Sequence, residues 1–399
     1  MSDGKQTALS RDYKVLVSSM GISRFGTSTF NLVILWVILS VTSNNAFLAG
    51  LGDGLISLPL FMSFFVGAFI DSSIHKKSLA YIASLLRAIF LVSVLFGIYY
   101  NHPLVTLITI YASGFMVGLT SDVLNSIRAN WTKQFLAEES YKAGSSFSNS
   151  VGYAAEGFGF AASGIFLALG SIHSFDAIIL VFIASLVPLF LIHPNEITEK
   201  KNTINSAKEG FSFISKTKSL KQIMVIALIA NLVFGMSGIV FIALVKIKLG
   251  LPPYYVSVIF LLFIVGTIIG SAVAPRFKGK IGKLSFVTFS FLGLSILTIP
   301  FLNNILYIIL PALVIGTMIG LVNVFLNTAF LKIIPTEMMA RVNGAFNTFS
   351  LGATFSSGML AGLIIQLTSV SVSFFVIGFG VLVANPLWLI FRDLYSLTI

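Results

Sequence analysis

Ser113-Gly114-Phe115-Met116-Val117-Gly118-Leu119, followed by Leu124-Asn125-Ser126, returns as Ile315-Gly316-Thr317-Met318-Ile319-Gly320-Leu321, followed by Leu326-Asn327-Thr328. The offset is a constant 202 positions. Further on, Lys133, Glu138, Phe147, Ala154, Gly159 and Ala162 recur as Lys332, Glu337, Phe346, Ala353, Gly358 and Ala361 at an offset of 199. Both copies run through long apolar tracts, so the repeated unit consists of membrane-length helices and the chain is an internal duplication. Gly114 with Gly118, and Gly316 with Gly320, are four residues apart on a helix. That spacing lets backbones approach closely and points to packing within one chain rather than to a dimer interface, so a monomer is expected.

The composition around the repeat demands lipid. The 399 residues are 56% hydrophobic and 10% charged, with 38 phenylalanines, whereas soluble domains are roughly one quarter charged. The net charge of +11 comes from basic residues lying between apolar runs, not from the stripe with interleaved aromatics that a nucleic-acid groove requires, so no nucleic-acid partner is expected. Cysteine is absent, which excludes disulfides and cysteine-ligated metal. The sequence has no G-x-x-x-x-G-K-[ST] phosphate loop, no H-E-x-x-H and no nucleophile–base spacing. Nothing therefore supports ATP-driven pumping by this chain, an enzyme, a metal site or a cofactor.

Twelve runs are long enough to cross about 30 Å of hydrocarbon at roughly 1.5 Å per residue. They are Val15 to Val41, Ala46 to Ile70, Leu79 to Tyr99, Leu104 to Leu124, Phe147 to Leu169, Phe175 to Ile192, Ile223 to Val245, Val256 to Val273, Leu284 to Phe301, Ile305 to Leu326, Val342 to Ile365 and Val372 to Ile390. The first is too long for a signal-peptide core and is read as a retained span. Alternate connections carry Lys76 and Lys77; Arg128 with Lys133 and Lys142; six lysines between Lys200 and Lys221; Arg276 to Lys283; and Lys332 with Arg341. By the positive-inside rule these connections and both termini are cytoplasmic, with a cell-membrane location expected; only Lys246 and Lys248 break the pattern. The polar stretch Pro194 to Lys221 is the expected linker between residues 1–193 and 222–399, two pseudo-symmetric six-helix bundles of an all-α membrane protein.

Gly67-Ala-Phe-Ile-Asp71-Ser72-Ser-Ile74-His75-Lys76-Lys77-Ser-Leu79, after the second span, resembles the signature loop of the major facilitator superfamily, with Gly67, Asp71, Lys76 and Leu79 matching. Gly210-Phe-Ser-Phe213-Ile-Ser-Lys216, and Ile334-Pro335-Thr-Glu337 with Arg341-Val-Asn343, look like its branch of macrolide efflux pumps and the enterobactin exporter. The resemblance implies two parallel six-helix repeats that rock around a midplane site. It implies an inner gate at Gly67, Asp71 and Lys76, with Asp122 near the same level and Asp71 facing the start of the eleventh span, whose dipole favours an anion.

Five charged residues lie well within spans: Arg24, Asp53, Arg87, Asp122 and Glu156. A charge at the bilayer centre costs on the order of 2.5–3.5 kcal/mol, so each needs a partner, a wet cavity or a neutralising proton. Their aligned counterparts in the second half are apolar, Val256 for Asp53, Val324 for Asp122 and Phe355 for Glu156. An ionic half opposite an apolar one suits an amphipathic solute. Glu156 and Arg24 share a midplane depth, as a packing ion pair or as a proton-coupling site; Asp53, nearer the outer face, is a further coupling candidate or a vestibule residue. Arg87 is expected to balance a neighbouring acid within the gate group. Candidate cavity residues are Asn31, Asn231, Phe234, Asn323, Phe346 and Asn347, each with the alternative of an interhelical contact. The resulting expectation is a proton-coupled exporter of hydrophobic or cationic amphipathic compounds, with bilayer lipid and protons as its partners. A carrier of a specific metabolite, siderophore or lysolipid, or a non-transporting receptor, are the alternatives.

Overall fold

Inside a bilayer no water is available to satisfy the backbone, so an apolar run buries its N–H and C=O groups in its own helix. The computed structural model describes residues 9–73, 75–137, 140–194, 203–335 and 338–398. Eleven helices in it are long and apolar enough to cross a membrane. A shorter apolar helix, Ala46–Phe61, continues after Met62 as Ser63–Ser72 and completes the second span. The twelve expected spans are therefore present as helices, in an all-α chain of membrane-spanning segments.

Several boundaries differ from the sequence expectation. The second span is broken at Met62, whose N–H closes a tighter turn on the Pro59 carbonyl at 2.8 Å. The fourth span does not end at Leu124 but continues as one helix, Pro103–Phe135. Arg128, assigned to a cytoplasmic connection, is thus a helical residue and only 7% exposed. The linker contains a helix of its own, Thr203–Lys216. The seventh and eleventh spans are each interrupted, at Gly235–Met236 and at Ala353.

The chain forms two compact units. The first comprises Met1–Val33 and Phe65–Lys201. In it the third span, Lys76–Tyr99, packs on the fourth and on the sixth, Ser171–Phe190. Leu16, Ile70, Leu124, Ile127, Trp131 and Ile192 form one buried cluster. The Tyr13 hydroxyl donates to the Gly144 carbonyl at 2.7 Å, tying the first span to the fifth, Ala143–Leu169.

The second unit comprises Ile34–Phe64 and Asn202–Ile399. Its two tightest helix pairs are made by glycine. In the eighth span, Tyr254–Arg276, and the tenth, Ile305–Phe330, a methyl on Gly316 would sit 2.8 Å from the Phe263 Cα and one on Gly266 2.8 Å from the Thr317 nitrogen. Gly270 and Gly320 meet backbone in the same way. The repeat's small-residue spacing is therefore answered by Gly266 and Gly270, which the sequence reading missed. The second pair joins Ala46–Phe61 to Thr354–Leu367 of the eleventh span, through Gly50, Gly54, Gly358 and Gly362. Lys246 and Lys248, the exceptions to the charge pattern, are held at the end of the seventh span, Lys218–Lys248. Lys246 donates to the Trp36 carbonyl at 3.0 Å and to the Ser40 hydroxyl, over the Trp36 ring. Lys248 donates to the Pro300 carbonyl at 2.5 Å.

Candidate functional site

Within the first unit, four helices contribute to one mostly polar wall. The first span, Arg11–Val41, presents Ser23, Arg24, Thr27, Ser28 and Asn31; the fourth presents Ser121, Asn125 and Arg128. Intervals of three, four and seven residues place each set on one helix face. The fifth span adds Glu156 and Phe160, four residues apart, and the third adds Arg87. Together they line a cavity of about 220 Å³, far more than the about 10–15 Å³ that a single water needs.

The arginines are anchored by neutral groups. Arg87, 1% exposed, donates from Nε to Thr120 Oγ1 at 2.8 Å, from Nη1 to Ser23 Oγ at 2.8 Å and from Nη2 to Ser121 Oγ at 2.7 Å. Thr120 and Ser121 in turn donate to the Met116 and Val117 carbonyls, both at 2.6 Å. Their protons are committed along the helix and their lone pairs face the guanidinium, which also lies over the Phe182 ring at 5.1 Å. Arg87 was expected to balance an acid; the structure gives it hydroxyls instead, because Ser23, Thr120 and Ser121 fall where three helices converge. Arg128 donates from Nη2 to the Ser19 carbonyl at 3.5 Å, and its buried Nε has no hydrogen-bond partner. It lies within Coulombic reach of Arg24 and Arg87.

Arg24 rests against Gly152: a methyl on that glycine would lie 3.0 Å from the guanidinium carbon. Gly152 is one helical turn before Glu156, so a glycine opens the space that brings guanidinium and carboxyl to the same cavity. Among the described residues, the Arg24 guanidinium makes no hydrogen bond or ion pair, and none joins it to Glu156. The packing ion pair that the sequence allowed is not formed here.

The remaining candidates are dispersed. Asn31 faces the cavity with a buried Oδ1 that has no partner. Asp122 is buried on the fourth span but does not line the cavity. Lys76 is buried and donates to the Ser73 carbonyl at 3.0 Å; Gly67 lies in Ser63–Ser72. The Asp71 and Asn347 side chains and residue Glu337 lie outside the described part. Asp53 belongs to the second unit, whereas Glu156 and Arg24 belong to the first; its Cβ is 2.8 Å from where a methyl on Gly358 would stand. Asn231 donates to the Ser350 carbonyl at 3.1 Å, an interhelical bond. Phe346 packs edge-on against Phe330 at 4.8 Å. Asn323 is exposed, and Phe234 ends the helix Lys218–Phe234. Sequence reasoning missed Arg128, although Ser121, Asn125 and Arg128 already mark one helix face.

The family model of the Major Facilitator Superfamily matches residues 16–356. The chain belongs to this superfamily. It is thus a membrane transporter by family, and among solved structures its fold is shared with other transporters. A POT family transporter in complex with 5-aminolevulinic acid aligns at a TM-score of 0.76 and 13% identity, over 96% of each chain. A bacterial homologue of the iron transporter ferroportin in an inward-facing state aligns at 0.76 and 16% identity, over 96% of this chain and 99% of that one. The nucleoside transporter NupG aligns at 0.75 and 11% identity, again over 96% and 99%. No curated protein sequence matches the chain.

Proposed function

We propose that this superfamily member is a proton-coupled secondary transporter of a small amphipathic solute, working by alternating access, with Glu156 as the coupling acid. One observation carries this reading: Glu156 faces a polar cavity beside Arg24 without being locked into an ion pair. Desolvation favours a neutral carboxyl and an approaching guanidinium a charged one, so a shift of either between two conformations loads or releases a proton. The resemblance to efflux pumps supports export as the direction. Residues 1–193 and 222–399 are the moving halves in this scheme, with Gly67, Asp71, Lys76 and Asp122 at the inner gate. Asp53, packed against Gly358 within the second unit, acts as a further coupling acid at the crossing of the second and eleventh spans.

Glu156→Gln mimics the protonated carboxyl. For a solute found by thermal stabilisation, binding and counterflow in liposomes are expected to persist while accumulation driven by a pH gradient is lost. A variant that still concentrates the solute under that gradient assigns Glu156 a structural role.

The proposed orientation is both termini and the 194–221 linker cytoplasmic, in the cell membrane, from the alternation of basic connections. The chain contains no cysteine, so a single one at Asn202 reports its own side. It is expected to resist an impermeant thiol reagent in intact cells and to react after permeabilisation. Labelling from outside intact cells reverses the assignment.

A further inference from the structure

Three arginines and one carboxyl line the cavity of the first unit. Arginine cannot discharge itself by losing a proton, and a guanidinium withdrawn from water is costly unless something negative or polar meets it. Here none of Arg24, Arg87 and Arg128 is ion-paired to a carboxylate among the described residues. Among the described residues, the carboxyl that lines the cavity, Glu156, is a single charge against three, and Asp122 does not line it.

The arginines also differ in how much bonding capacity they keep. Arg87 spends donors on three hydroxyls and acts as a fixed positive charge at the cavity wall. Arg128 keeps a buried Nε without a partner. Arg24 keeps its whole guanidinium unbonded, resting against Gly152. Unused N–H donors on planar forks match the paired oxygens of a carboxylate or phosphate.

We propose that this cavity is an anion site: Arg24 and Arg128 grip the oxyanion head of the solute, a carboxylate or a phosphate monoester, and Arg87 supplies a fixed field. Phe160, in the same wall, meets the first carbons of its organic part. The proposal rests on the transporter reading and changes the solute it implies, from a cationic or neutral amphiphile to an anionic one.

The test uses purified full-length protein and four probes of equal chain length: hexyl phosphate, hexanoate, hexylammonium and hexanol, at constant ionic strength. Ligands that bind the native state raise its melting temperature. Both anions are expected to do so, hexanol and hexylammonium not, and the stronger anion separates the phosphate class from the carboxylate class. Arg24→Gln and Arg128→Gln are each expected to weaken the apparent anion affinity about 10- to 100-fold, the loss of a charge-assisted contact. The Arg24 side chain has no hydrogen bond to lose, so its variant keeps the unliganded melting temperature and separates binding from folding. Stabilisation by hexylammonium alone, by no probe, or by anions equally in both variants overturns the site. Counterflow of labelled hexyl phosphate into liposomes separates this from the transporter reading. Arginine-dependent stabilisation without exchange leaves the anion site standing and counts against transport. Exchange of hexylammonium that survives Arg24→Gln leaves transport standing and removes the anion site.

Discussion

Arg87→Lys is expected to lower the stability of the protein by about 3–6 kcal/mol, and to lower it more than Arg87→Met does. The guanidinium reaches three hydroxyls from three different nitrogens. A single ammonium placed at the same depth keeps one of those bonds and forfeits two, each worth about 1.5–3 kcal/mol for a charged partner. It still bears the cost of a buried charge. Methionine loses all three bonds but removes the charge as well, and replacing a buried ionic group with an apolar one of similar volume is often close to neutral. Thr120 and Ser121 keep partners in that variant, because their hydroxyls already donate to the Met116 and Val117 carbonyls. Melting of the three proteins in one detergent checks the ranking. A lysine variant that melts at or above the methionine variant removes the hydroxyl cradle as the reason for Arg87's placement.

The second large effect belongs to the crossing of the second and eleventh spans. A side chain at Gly358 would start 2.8 Å from the Asp53 Cβ and 2.9 Å from its Cγ, closer than carbon atoms pack. Gly358→Val therefore forces the helices apart, and overpacking of this kind costs about 1–3 kcal/mol. If the crossing is one of two alternative arrangements, that cost shifts its population about 5- to 150-fold toward the separated one. Spin labels at Asn44 and Thr368, both exposed, report on the ends of the two helices. Double electron–electron resonance is expected to show a longer distance in the variant. An unchanged distance with an unchanged melting temperature means that the crossing absorbs the side chain and gates nothing.

The sequence displayed the fold more openly than the site. Apolar run length decides whether a helix crosses lipid, and the twelve runs are one-dimensional features that survive without tertiary knowledge. The break in the second span at Met62 stayed hidden, because the run remains apolar to Ile70. Charge counting places basic residues in connections, and it misplaced Arg128 because the fourth helix runs past its hydrocarbon length to Phe135. The cavity is three-dimensional: Arg24 was legible as an intramembrane charge, but its relation to Arg128 depends on how the first and fourth spans cross. Arg87's hydroxyl partners were invisible for the same reason, since Ser23 lies 64 residues before it and Thr120 lies 33 after it. Gly266 and Gly270 were readable as a spacing, but only the tenth span's backbone gives that spacing its purpose.

Lys248 finds its acceptor, the Pro300 carbonyl, 52 residues further along the chain. At synthesis rates of about 5–20 residues per second, that carbonyl comes into being some 3–10 s after the lysine. In the proposed orientation Lys246 and Lys248 have by then already been carried to the far side of the bilayer, against the usual preference of basic residues. The seventh span must therefore be oriented by what precedes it, the six lysines between Lys200 and Lys221. A nascent chain shortened in that segment loses the basic charges that lie directly before the seventh span.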